Sequence, residues 1–143
     1  MLFTVPITAV RIVRHSITRT IDGNGNSTLS ENSKSSSVLL DCDYIYDAGD
    51  VKLVVRWFFN NSTEAIYQWI PASDNRYVSE SISSYFDFDF RISEDRFTRY
   101  RALKLRSENG FSLPAKLAGK YSCVISSIMS QDSRSGQLVI YSK

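Results

Sequence analysis

The chain contains two cysteines, Cys42 and Cys123, and no third. In a secreted chain that count means one disulfide; in a cytosolic one it means two buried thiols or a metal pair. Tetrahedral zinc wants four cysteine or histidine ligands, and His15 is the one histidine present. A disulfide is therefore the favoured reading. Both cysteines sit in stretches of alternating character. In "SVLLDCDY" the alternation puts Val38, Leu40, Cys42 and Tyr44 on one face and Leu39, Asp41 and Asp43 on the other. In "GKYSCVIS" it puts Tyr121, Cys123 and Ile125 together. Two inward-facing cysteines 81 positions apart are expected to tie two distant strands across one core.

The rest of the chain reads as more strands of the same kind. No segment of ten or more residues holds a helical apolar period, so an all-β fold is expected. Residues 7 to 13 read as an edge strand. From about residue 15 to 37 the chain turns polar, with Gly23, Asn24, Gly25 and Asn26 followed by a serine-rich run. That stretch is expected to be a mobile insertion, or a hairpin turning at the Gly/Asn cluster. In "KLVVRWFFN" Leu53, Val55, Trp57 and Phe59 share a face, and "EAIYQWIP" follows a polar turn and ends at Pro71. A short strand near residues 77 to 79 is expected. "YFDFDFRIS" has strict period two, which predicts a strand with Phe86, Phe88 and Phe90 inward. "RYRALKLRS" turns Leu103 and Leu105 inward, Gly110 and Pro114 break the chain, and "GQLVIYS" ends the set. The count is eight or nine strands in one domain spanning residues 1 to 143.

Composition narrows the function. A chain of 143 residues that is 43% hydrophobic and 22% charged can bury a core and is not disordered throughout. A net charge of +2 demands no polyanion, so no nucleic-acid partner is expected. No run of 18 apolar residues occurs, so this segment is not expected to insert into a membrane. Residues 1 to 6 lack the basic start and long apolar core of an intact signal peptide. The end straight after an apolar strand suggests an excised ectodomain or a mature secreted module.

The inward cysteine pair, Trp57 on the strand after Cys42, and Tyr121 two residues before Cys123 match an immunoglobulin-like, variable-type β-sandwich. That architecture packs two antiparallel sheets with one inter-sheet disulfide against a buried tryptophan. Tyr121 is at the tyrosine-corner position, and Gly119 gives the tight approach before the strand. Many such domains carry an acidic residue where this chain has Leu117, and pair it with an arginine. Leu117 cannot do so. The motifs "VLLDCDY", "VKLVVRWFFNN", "IYQWIP", "RALKL" and "LAGKYSCVIS", over residues 36 to 141, resemble the variable-type domains of arthropod beaten-path-like immunoglobulin proteins. The resemblance implies a secreted or membrane-tethered surface protein, of a kind that binds other immunoglobulin-superfamily receptors in axon guidance.

The expected function is extracellular, non-enzymatic recognition or adhesion. The partner would be a cell-surface or secreted protein, another immunoglobulin-superfamily ectodomain, bound through the sheet that carries Trp57 and Cys123. A homodimer stays open. The candidate interface comprises Arg56, Phe58, Val124, Val139 and Tyr141 as outward positions, Tyr67, Gln68 and Trp69 beside them, and Met129 in the loop "SIMSQDSRS", where a variable domain places its third hypervariable loop. The alternative is a humoral or immune-type factor binding sulfated glycan or a microbial surface through Arg91, Arg96, Arg99, Arg101 and Arg106. Asn26, Asn60 and Asn61 begin N-x-S/T sequons. No cofactor or metal is expected: calcium needs six to eight converging oxygens, which strand aspartates two apart rarely supply. His15 has no nucleophile partner, and no phosphate-cradling glycine loop is present.

Overall fold

A computed structural model describes residues 10–21, 36–46, 52–107, 113–128 and 130–140. The alternating stretches become two antiparallel sheets. In the first, β1 (Arg11–Ile21) pairs with β2 (Ser36–Ile45), which pairs on its other edge with the four-residue β6 (Leu103–Arg106). The second has the order β5 (Asn75–Val78), β4 (Ala65–Ile70), β3 (Val54–Phe59), β7 (Gly119–Ser126) and β8 (Gln131–Leu138). The additional strands β4 and β5 beside β3 are those that distinguish the variable type of immunoglobulin-like sandwich.

The inward halves of these strands form the core. Val38, Leu40 and Cys42 of β2 and Leu103 and Leu105 of β6 meet Val55 and Trp57 of β3, Tyr67 and Trp69 of β4, and Tyr121, Cys123 and Ile125 of β7, all 0% exposed. A disulfide joins Cys42 to Cys123 with 6.5 Å between their Cα atoms, tying sheet to sheet. The polar tips of the buried Trp57 and Tyr121 find partners, as burial in a low dielectric favours. Trp57 Nε1 donates to the Arg101 carbonyl at 2.8 Å. Tyr121 donates its hydroxyl to the Leu117 carbonyl at 2.6 Å, which is the tyrosine corner. Leu117, at the position where the acid is missing, ends a 3-10 turn (Ala115–Leu117) and is itself buried in the core.

The β1–β2 pairing accords with the hairpin reading of the polar stretch, and three features differ from the expectations. The polar stretch after residue 15 is strand as far as Ile21, and β1 and β2 pair from Arg11↔Ile45 through Ile21↔Ser36, which is the hairpin arrangement; residues 22–35 lie outside the described residues. Polar composition does not stop a strand in which β-branched Ile17 and Thr18 alternate and one face meets water. "YFDFDFRIS" is not a strand: one bridge, Phe86↔Leu105, is all that remains of it. Here short side chains capture the backbone donors that a ladder would use. Asp87 Oδ1 accepts from Asp89 N–H, Ser93 Oγ from Asp95 N–H, and Asp95 Oδ1 from Phe97 N–H. Phe86 is buried, but Phe88 is 48% exposed. One helical turn, α1 (Glu80–Ser83), interrupts the strands, with Ser79 Oγ accepting from Ser81 N–H at its N-terminus. Finally, β8 starts at Gln131, so the supposed hypervariable loop is mostly strand. Residues 127–130 alone connect β7 to β8, closed by Ser127 N–H on the Ser130 carbonyl at 2.8 Å. Among the described residues no helix is long and apolar enough to cross a membrane.

Candidate functional site: the outer face of the five-stranded sheet

Pairing register fixes what the second sheet presents away from the core. One residue from each strand forms a row across it: Tyr77, Gln68, Arg56, Val124 and Ser133. A neighbouring row runs Phe58, Ser122, Ser135, and another Val54, Ser126, Gln131. Val54, Phe58 and Val124 are half-buried among their neighbours, while Tyr77 stands 55% exposed at one side. The serines keep the middle of the β7 and β8 half low, with the Ser122 and Ser135 hydroxyls bonded to each other at 2.8 Å, and Lys120, paired with Gln137, carries the charge at its end.

Arg56 is the charged residue of the central row. Its Nε donates to Gln68 Oε1 at 2.9 Å, which fixes the guanidinium across β3 and β4. Its two terminal nitrogens have no hydrogen-bond or carboxylate partner among the described residues. Beside it lies a groove of about 450 Å³ lined by Arg56, Phe58, Thr63, Glu64, Ala65, Gln68 and Tyr77. The face offers apolar area and a few fixed donors.

The residues expected at the interface divide. Arg56, Phe58, Gln68 and Val124 share this face. Tyr67 and Trp69 do not: both are 0% exposed and belong to the core. A bulge between Trp57 and Phe58, opposite Ala65 and Tyr67, sets the facing of β4 and turns Tyr67 and Trp69 inward. Their polar tips are bound inside, Tyr67 Oη to the Tyr100 carbonyl at 2.7 Å and Trp69 Nε1 to Asp74 Oδ1 at 3.1 Å. Burial raises the Tyr67 phenol well above its ordinary range. Val139 follows β8 and is exposed, outside the paired rows. Met129, Tyr141 and Asn26 lie outside the described residues. Tyr77 was not among the expected interface residues, although period two in "NRYV" puts it outward.

The arginines do not form one patch. Arg101 is buried and spoken for. Its Nε lies 2.8 Å from Asp41 Oδ1, Nη2 3.0 Å from Asp41 Oδ2, and Nη1 3.1 Å from Asp43 Oδ1. Burial works against its charge, but the hydrogen bond and field of Asp41, with Asp43, outweigh that and raise its pKa. The chain thus has a buried arginine–carboxylate pair after all, made on β2 rather than at Leu117. Arg106 is on β6, in the other sheet. Arg91 lies over the Tyr100 ring at 5.6 Å together with Arg76 at 3.9 Å, and Arg96 donates to the Ala72 carbonyl. Arg99 is half-buried, with its Nε unbonded among the described residues.

Asn60 and Asn61 are exposed at the β3–β4 turn. Asn60 adopts a left-handed conformation (φ 55°), its N–H donating to the Lys120 carbonyl and its Oδ1 accepting from Lys120 N–H.

No protein-family model matches the chain. No curated protein matches it either. Among solved structures it is similar to the human B7-H4 IgV-like domain, with a TM-score of 0.49 and 13% identity over 85% of this chain and 92% of that one.

Proposed function

We propose that this chain is an extracellular, non-enzymatic recognition domain that binds a protein through the outer face of the five-stranded sheet. The partner in this reading is an immunoglobulin-type ectodomain, as for the beaten-path-like proteins that its motifs resemble. The observation that carries the reading is the outer face itself. Val54, Val124 and Phe58 sit there in successive rows with small serines, the fixed Arg56 among them and Lys120 at one end, a partly apolar centre with few charges, which is the composition of interface cores. An intact disulfide in a core of this kind fits an oxidising compartment.

The test is a binding screen of the domain against extracellular immunoglobulin proteins of the same organism. Phe58→Glu and Val124→Glu variants, checked for folding, are expected to lose the partner that the unaltered domain captures. Full retention by both folded variants overturns the reading. A second reading, anion binding, is favoured by one observation: Arg76, Arg91, Arg96 and Arg99 make no ion pair among the described residues. Salt-sensitive retention on heparin that Arg91→Ser with Arg96→Ser abolishes supports it, and elution without retention dismisses it.

A further inference from the structure

The groove on the outer face holds both halves of an ion pair that the folded chain does not make. Arg56 and Glu64 line the same groove, yet neither has an opposite charge within 4 Å among the described residues. Local bonds fix the Arg56 side chain and the Glu64 main chain. Arg56 is fixed by Gln68, as described. The main chain of Glu64 is anchored on Ser62, whose Oγ accepts from Glu64 N–H at 3.1 Å and donates to the Glu64 carbonyl at 3.4 Å. The Glu64 carboxylate has no hydrogen-bond partner among the described residues, and the residue is exposed.

A groove lined by a cation and an anion that are not paired with each other is complementary to a copy of itself turned by a twofold axis. In such an isologous contact each copy supplies both partners. We infer that the domain associates with a second copy of this chain across the outer face, Arg56 of each copy meeting Glu64 of the other. Phe58, Val124 and Tyr77 then supply the apolar contact around the two pairs. The inference rests on the reading of this face as the recognition surface and names its partner.

Size sets the expected strength. Five strands about 4.8 Å apart and six residues rising about 3.3 Å each give a face of roughly 24 by 20 Å. Two such faces bury on the order of 1,000 Å², the low end of specific interfaces. The dimer is therefore weak and concentration-dependent, strengthened when copies are held together on a surface.

Analytical ultracentrifugation of the disulfide-bonded chain over a wide concentration range tests this, with three variants: Arg56→Glu, Glu64→Arg and the double exchange. The unaltered chain is expected to dimerise. Each single variant sets like charges together twice and is expected to weaken dimerisation by roughly tenfold or more. An equimolar mixture of Arg56→Glu and Glu64→Arg restores both pairs and is expected to form mixed dimers, and the double exchange in one chain to dimerise again. Glu64 is exposed, so Glu64→Arg keeps the test valid even where Arg56→Glu does not fold. A monomer at every concentration overturns the inference, as do single variants that dimerise like the unaltered chain or a mixture that stays monomeric. If the unaltered chain is monomeric while Phe58→Glu still abolishes capture of another ectodomain, the recognition face stands and self-association alone falls.

Discussion

Gly119 has a backbone φ of +154°, and a Cβ built there meets Asn60 Oδ1 at 2.7 Å and the Phe59 ring at 2.8 Å. Gly119→Ala is therefore expected to lower stability by about 1–3 kcal/mol, read as a fall in thermal midpoint. His15 is a second sensitive residue. Its Nε2 is buried without a hydrogen-bond partner among the described residues, its ring faces Trp57 at 6.2 Å, and Gly136 is close enough that a Cβ there meets His15 Cε1 at 2.6 Å. Burial lowers its pKa, with Asp41 opposing and Arg134 adding to the effect. The folded state thus binds the proton less well than the unfolded chain does. This contribution to stability is complete above the ordinary histidine pKa of about 6.5 and is lost as pH falls from there through the lowered folded value. Melting temperatures between pH 7.5 and 5.5 are expected to fall toward acid, and His15→Phe to flatten that slope; equal slopes in both proteins contradict this origin.

Elements show best what the sequence makes legible. Strands β2, β3 and β7 were readable because each buries one face and solvates the other, so period two appears directly in Val38, Leu40 and Cys42 or in Tyr121, Cys123 and Ile125. The segment from Tyr85 to Arg91 has the same period and is not a strand, because Asp87 and Asp89 belong to side-chain turns that periodicity does not distinguish from a polar strand face. Of the site, Arg56, Phe58 and Val124 could be placed from alternation alone. Tyr67 and Trp69 could not, since a single bulge in the β3–β4 pairing sets which way they face. Arg101 was hidden for another reason: its carboxylate partners are 60 and 58 positions away on β2, and no local pattern announces a pair of that span. Tyr121→Phe leaves the Leu117 carbonyl unpaired and is expected to cost about 1–2 kcal/mol with the fold intact. Arg101→Ala strands Asp41 and Asp43 and is expected to cost about 3 kcal/mol, whereas Arg91→Ser on the surface should change the melting temperature little. Equal effects of the two arginine substitutions contradict the division between the buried pair and the surface residues.

For the whole molecule, the covalent tie and the open sheet face have different consequences. The disulfide closes a separation of 81 residues, which in the chain-entropy account corresponds to about 4.5 kcal/mol of stabilisation through the unfolded state. Replacing Cys42 and Cys123 by alanine together is expected to leave a protein that is largely unfolded or melts far lower. The outer face adds nothing to the core, and its cost and value appear only when something covers it. The most direct measurement is quantitative binding of the captured ectodomain to three folded proteins side by side: the unaltered domain, Phe58→Glu, and Arg91→Ser with Arg96→Ser. Loss with Phe58→Glu and full affinity with the arginine pair is the predicted result. Full affinity with Phe58→Glu and loss with the arginine pair would contradict recognition through the five-stranded sheet.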